Sequence, residues 1–325
     1  MRVRRALIVA FATAAAAGAL AFAASAQTPS RLPGPPGPAG SSGQAIYPAF
    51  EGWGANQDAT SNLMVLGYMN RNRSGIVEIP IGPDNRIEPG GPDYGQPTVF
   101  YAGRQKVMFA IKVPKDFGAK TLTWTLVANG QPAVVTFHLQ RDYYLNFYKD
   151  DANGNEPPSI KFGVADPPMI GPTAGFAQTL TASVGQPVPL TLWVSDPPPL
   201  EPNWESVVAS RTRSAPRPVP RDQVAIVDGQ VLGAGRGGRS GTSGGSRPDL
   251  TVVWTKMRGP GDVTVTPSRV PVVTKGDRNV VIEAAAAATF SAPGEYVLRG
   301  QPVEAAGAGD GLCCFTFANV KVNVK

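Results

Sequence analysis

Glycine and proline punctuate this chain so densely, at 37 and 33 of 325 residues, that helices are left little room. Proline removes a backbone donor and clashes with the preceding turn, and glycine costs a helix roughly 1 kcal/mol relative to alanine. The runs between these residues are rich in Val and Thr, which suit a pleated strand. Short strands joined by many turns are the expected build. Val107-Met108-Phe109-Ala110-Ile111-Lys112-Val113 and Leu122-Thr123-Trp124-Thr125-Leu126 each set an apolar face against a mixed one, the pattern of a half-buried antiparallel strand. Asn129-Gly130 separates two such runs, and both residues tolerate the positive φ that a two-residue hairpin demands.

The N-terminus is of a different kind. Arg2, Arg4 and Arg5 precede an unbroken small and apolar run over residues 6–24, followed by Ala24-Ser25-Ala26 and a polar continuation. A basic region, an apolar region and an A-x-A site predict a secretory signal peptide over 1–26, cleaved after Ala26. The alternative is an uncleaved anchor, but the run is Ala-rich and spans a bilayer poorly. The residues around Arg4-Arg5 fit a twin-arginine signal badly, and no Cys follows the cleavage site to take a lipid. A periplasmic or secreted protein is expected, with no membrane span after cleavage. The formal charge of +6 includes the three leader arginines, so the cleaved chain carries +3. That mild excess gives no reason to expect nucleic acid.

Composition divides the rest. Residues 27–44 read as a Pro/Gly linker, whose few Gly-x-y triplets are too short for a collagen helix. Residues 45–146 read as an N-terminal β-sandwich with strands near 46–52, 62–70, 75–80, 98–101, 105–113, 120–128 and 132–140. Within it, 82–97 is a long Gly/Pro loop, a length that marks function or mobility. Residues 147–175 read as a second linker. Residues 176–325 read as a second sandwich with strands near 179–184, 188–195, 250–257, 262–266, 279–283, 295–299 and 315–324. An insertion, 197–249, interrupts it. That insertion holds proline clusters, a short hairpin near 224–232 and the tract GAGRGGRSGTSGGSR, and its composition predicts disorder. The expected fold class is all-β: two antiparallel, immunoglobulin-like sandwich domains with a disordered insertion in the second.

Three segments of the second domain carry a resemblance. "LTVVWTKMRGPGDVTVTP" brings Trp254 on a strand into a Gly-Pro-Gly turn and out along a second strand. "ATFSAPGEYVLRG" follows, and "FTFANVKVNV" closes. Together they resemble a PKD-like domain of the immunoglobulin fold. The resemblance implies that Trp254 fills the space between two sheets and that Tyr296 is a corner tyrosine bonding back to the backbone. It implies a fold and no activity. In the first domain, "LGYMNRN", "IPIGPDNRIEPGGPDYGQPT", "VPKDFG" and "LTWTLVANGQ" resemble a group of secreted bacterial proteins without an assigned function.

Residues suited to chemistry are few. His138 is the one histidine, on an expected strand, so a Ser-His-Asp triad or a multi-His metal site has little to build on. Cys313 and Cys314 are the only thiols, and they are adjacent. On a regular strand their side chains diverge, but Asp310-Gly311 before them offers a turn. A vicinal disulfide, a reduced pair, and bridging or metal binding all stay open. "DDANGNE" at 150–156 spaces oxygen ligands loosely, without the glycine position of a calcium loop. Loop carboxylates Asp84, Glu88, Asp93, Asp196 and Glu201 include no pair that local pattern selects for glycoside hydrolysis. Aromatic residues cluster in the first domain, among them Phe50 and Phe100. Most are expected in the core, with Tyr47, Trp53, Tyr68 and Tyr101 as a candidate sugar-stacking platform. The expected function is a non-enzymatic structural or interaction protein of the bacterial envelope. It needs no cofactor, and its partner is an unidentified protein or polysaccharide. A carbohydrate-binding module is the alternative, and an envelope hydrolase a third reading.

Overall fold

The computed structural model describes residues 42–73, 75–149, 155–196, 226–227, 230–231, 250–274, 279–304 and 315–325. Eight strands form the first half: β1 (Ile46–Ala55), β2 (Ser61–Asn70), β3 (Val77–Glu78), β4 (Asn85–Glu88), β5 (Val99–Phe100), β6 (Gly103–Pro114), β7 (Leu122–Ala128) and β8 (Gln131–Phe137). They make a β1-β2-β6 sheet, a β4-β7-β8 sheet and a β3-β5 ribbon, every pair antiparallel. The apolar faces enclose Met64, Leu66, Phe100, Phe109, Trp124 and Leu126. Phe109 meets Trp124 edge-on at 5.1 Å, the offset that ring quadrupoles favour. The β7–β8 hairpin turns on Asn129 (φ 53°) and Gly130 (φ 72°), as the Asn-Gly pair predicts.

The long Gly/Pro loop is ordered structure. Residues 85–88 of it are β4, paired with β7. Asn85 is buried, donates to the carbonyls of Ile79 (3.0 Å) and Pro97 (2.8 Å), and accepts from Trp124 Nε1 at 3.0 Å. Buried Gln96 donates to Pro92 O at 2.6 Å and accepts from Tyr94 N at 2.8 Å. Two buried amides therefore hold the loop's backbone polar groups, which hydrophobic patterning does not reveal.

The second half contains β9 (Ser159–Lys161), β10 (Met169–Ile170), β11 (Gln178–Ala182), β12 (Val188–Ser195), β13 (Ile226–Val227), β14 (Gln230–Val231), β15 (Leu250–Arg258), β16 (Val263–Thr266), β17 (Arg269–Val272), β18 (Ile282–Phe290), β19 (Gly294–Glu304) and β20 (Ala318–Val324). One five-stranded sheet runs β10-β9-β12-β18-β16 and the other β11-β20-β19-β15-β17. Side chains from both sheets interleave in one core holding Leu192, Trp254, Phe290 and Leu298, the layering of a β-sandwich. β11 runs parallel to β20, an exception to the otherwise antiparallel pairing. β9 and β10 lie in the segment expected as a linker. β10 is an edge strand and β9 lies between it and β12; both are too short for their alternation to stand out in the sequence. β13 and β14 pair where the short hairpin was expected; the rest of 197–249 lies outside the described residues. The fold is all-β and immunoglobulin-like, and Arg141–Tyr143 is a single 3-10 turn.

The Gly-Pro-Gly turn packs on Tyr296, which acts as a corner tyrosine. Its hydroxyl donates to Ala292 O at 2.8 Å and accepts from Gly261 N at 3.0 Å. The ring is buried beside Phe290, 4.8 Å between centroids.

The two sandwiches share cores. The β15–β19 register shifts between Lys256 and Arg258, and the bulge turns Met257 into the first sandwich's core together with Val297. Phe317 joins Leu63, Val65, Val107, Ala110 and Phe147 in another mixed cluster. Met257 O accepts from Thr98 N at 3.0 Å, and Lys256 O accepts from the Tyr101 hydroxyl at 3.0 Å. Arg258 grips Asp93 through both terminal nitrogens, at 2.9 and 2.7 Å, and donates from Nε to Gln96 O at 2.7 Å. The Arg258 guanidinium holds the Asp93 carboxyl below its usual range. Lys256 pairs with Glu78 at 3.1 Å. The long loop thus serves as the seat for Arg258.

Arg299 is a buried charge at this junction. It stacks 4.0 Å over the Phe317 ring and donates to Met108 O at 3.1 Å and Gln301 Oε1 at 3.0 Å. Burial pushes its guanidinium down to about 9, so it is still protonated at neutral pH. Arg299→Met keeps the stem but leaves the Met108 carbonyl without its donor. The expected loss is roughly 1–3 kcal/mol, read from the urea midpoint. An unchanged midpoint would show that the contact contributes nothing.

Candidate functional site

The four aromatic residues expected to form one platform differ in exposure: Tyr68 is buried, Trp53 and Tyr101 are half-buried, and Tyr47 is exposed. Tyr68 is fully buried, and its hydroxyl accepts from Tyr101 N at 2.8 Å. Burial pushes that phenol up. Tyr101 turns its own hydroxyl to Lys256 O, and burial raises its phenol too. Tyr68 is consumed by packing, and Tyr101 is half-buried with its hydroxyl committed to the junction. Tyr47 is 42% exposed, and Trp53 is half-buried on the same strand. Phe100 is buried against Tyr68.

The other candidates are also placed. His138 lies half-buried just beyond β8. Glu88 pairs with Arg86 at 2.9 Å, and Asp196 is buried. Asn155 donates to Glu304 at 3.1 Å. Asp151, Asn153, Glu201 and the Cys313-Cys314 pair lie outside the described residues. Among the described residues no group of three or more His, Cys, Asp or Glu is arranged to hold a metal ion.

Trp53 has partners that the sequence did not suggest. The chain returning after β8 bridges Trp53 in parallel through Tyr144, and Leu145 N donates to Trp53 O at 2.7 Å. Trp53 Nε1 donates to Gln140 O at 2.6 Å. The rings of Trp53 and Tyr144 meet edge to face at 5.1 Å, and those of Phe50 and Tyr143 lie 5.5 Å apart, tilted by 47°. Tyr143 and Tyr144 are 48% and 51% exposed. This is a bent aromatic ridge, not a coplanar row. Its signal in the sequence is the density of rings in "DYYLNFY", 142–148.

The ridge leads to a cleft of about 280 Å³, where the turn between β1 and β2 faces residues 168–177. Asn56, Gln57, Lys112, Met169, Thr173 and Phe176 are among its walls, and among the described residues no carboxylate, His or Cys lines it. Tyr148 connects ridge and cleft. Burial pushes its phenol up, against a hydrogen bond with the Gln57 backbone, while Asp58 and Tyr144 stand close enough to add to the rise. Asp58 braces the turn. It pairs with Lys112 Nζ at 2.7 Å and accepts from Ser61 Oγ, from Thr60 N at 2.9 Å and from Ser61 N at 3.0 Å. The Lys112 ammonium, then Ser61, holds its carboxyl well below the usual carboxylate range. Such a carboxylate is a poor proton acceptor, so its role is to fix Lys112 and the turn.

No protein-family model matches this sequence, and no curated protein matches it at a significant level. Among solved structures, the chain is similar to the D00-D0 domain of Intimin at 10% identity, over 86% of this chain and 100% of that one, with a TM-score of 0.24. It is also similar to the Titin Ig tandem domains A164-A165 at 8% identity, over 87% and 99% of the two chains, with a TM-score of 0.19. A protein of unknown function from Porphyromonas gingivalis W83 is similar at 6% identity, over 86% and 99%, with a TM-score of 0.21. These likenesses assign no site and no partner.

Proposed function

We propose that this chain is an exported, non-enzymatic structural or interaction protein of the bacterial envelope, in which two immunoglobulin-like sandwiches act as one rigid support. The observation that carries the reading is the shared core. Met257 and Val297 of the second sandwich sit within the first, and Arg258 is locked into the long loop. A hinge between the two would break these contacts, so the pair holds its surfaces at a fixed spacing. Export rests on the leader pattern of residues 1–26. Among the described residues no helix is long and apolar enough to cross a membrane.

Two measurements on one preparation test this. Expressed with its leader, the protein should be recovered from the periplasm or medium, with Gln27 as its first residue by N-terminal sequencing. Scanning calorimetry of that product should show a single transition, because buried apolar contacts couple the halves. Two well-separated transitions would dismiss the rigid support, and cytoplasmic retention would dismiss the envelope role.

A further inference from the structure

The geometry points to an oligosaccharide-binding site made of the cleft and the aromatic ridge beside it, with an uncharged, hydroxyl-rich chain as its ligand. This rests on the interaction-module reading and gives that module a partner. The cleft walls combine the Gln57 side-chain amide and the acceptor side of the Thr173 hydroxyl, whose proton goes to Phe317 O at 2.7 Å, with the apolar bodies of Met169 and Phe176; the Asn56 amide is spent on bracing the turn through Asp58 and Ser61. Sugars present the same mixture, hydroxyls around the ring edge and C–H groups on its faces. Ligand sites commonly unite an apolar lining with a few placed polar groups. Lys112 lies against Asp58 at 2.7 Å, so the site carries a compensated charge and has no reason to select an anion. Beyond the cleft, Tyr148, Tyr144 and Trp53 offer successive rings along one edge of the first sandwich.

An extended peptide is the competing occupant, and the local backbone argues against it. β10 is an edge strand, but it is only two residues long. Its flanks, Pro168 and Pro172, have no N–H to offer, and Gly171 N already donates to Thr316 Oγ1 at 2.9 Å. Strand addition needs a run of free backbone donors and acceptors. Recognition here falls to side chains and rings. A Cβ on Gly171 would stand 2.7 Å from the Tyr148 ring, so Tyr148 closes tightly over the β10 segment and seats the ridge against the cleft.

The test titrates the full leader-cleaved protein with cellohexaose and with chitohexaose by isothermal calorimetry. At least one should bind at millimolar concentration or below. Tyr144→Ala and Gln57→Ala should each weaken that binding by roughly tenfold, by loss of a ring and of an amide, with thermal melts unchanged. Val134→Ala, on an exposed position of β8, should leave it unchanged. If neither sugar binds, or if binding survives both site variants, the assignment is overturned. Binding of an extended peptide that the same two variants abolish would also overturn it. None of these outcomes alters the calorimetric transition that tests the rigid support.

Discussion

Trp254→Ala should cost the fold about 3–5 kcal/mol, the range for truncating a buried large aromatic side chain. Trp254 is 6% exposed, lies in the second core with Leu192 and Leu298, and presses its ring on Gly300, where an added Cβ would stand 3.0 Å away. Alanine leaves a hole that flanking strands, pinned by ladders on both sides of β15, cannot collapse to fill. Trp254 Nε1 has no hydrogen-bond partner among the described residues. Trp254→Phe should therefore be much milder, since it keeps a ring and removes an unsatisfied donor. Urea denaturation of both variants checks this. Equal losses would mean that the indole N–H, and not ring volume, decides the energetics.

Gly259→Ala should be nearly as damaging, at roughly 3–5 kcal/mol, through backbone strain added to overpacking. Gly259 has φ +138°, and a Cβ there would overlap the Tyr296 ring, 2.6 Å from Cε1 and closer still to Cδ1. The ring cannot withdraw without giving up both hydroxyl bonds of the corner. Tyr296→Phe supplies the comparison: it removes those bonds without a clash and should lose only about 1–3 kcal/mol. A Gly259→Ala midpoint close to that of wild type would show that the turn can open and that the corner does not depend on it.

Patterning made most strands legible. β6, β7 and their neighbours announce themselves by alternation. The Trp254 strand, the Gly-Pro-Gly turn and the Tyr296 corner follow from residue types whose physics admits few arrangements. β18 shows the limit. Its run of alanines favours helix in isolation, and strand pattern was expected only near 279–283. The strand forms because β12 and β16 pair with it on either side and Ala284, Ala286 and Ala288 face the core. Pairing from both sides outweighs local preference. β4, β9 and β10 were missed because so few residues cannot display a period. The candidate site was hardly legible at all. Trp53 was singled out, but with Tyr68 and Tyr101, whose hydroxyls are committed to internal bonds. Tyr144, Tyr148, Gln57 and Lys112 meet only through tertiary contacts. Half of the cleft comes from residues that composition marks as linker.

The position of β20 has a consequence for biosynthesis. It is the last strand in sequence, yet it lies between β11 and β19 and makes ladders to both. Met257 and Val297, which complete the first core, sit on the strands β15 and β19. A nascent chain lacking residues 318–324 has neither a closed second sheet nor the support that holds those two side chains in place. Vectorial folding, in which an N-terminal domain settles while the remainder is still being made, is therefore disfavoured. The second sheet stays open until residues 318–324 have been made, and then closes in one step.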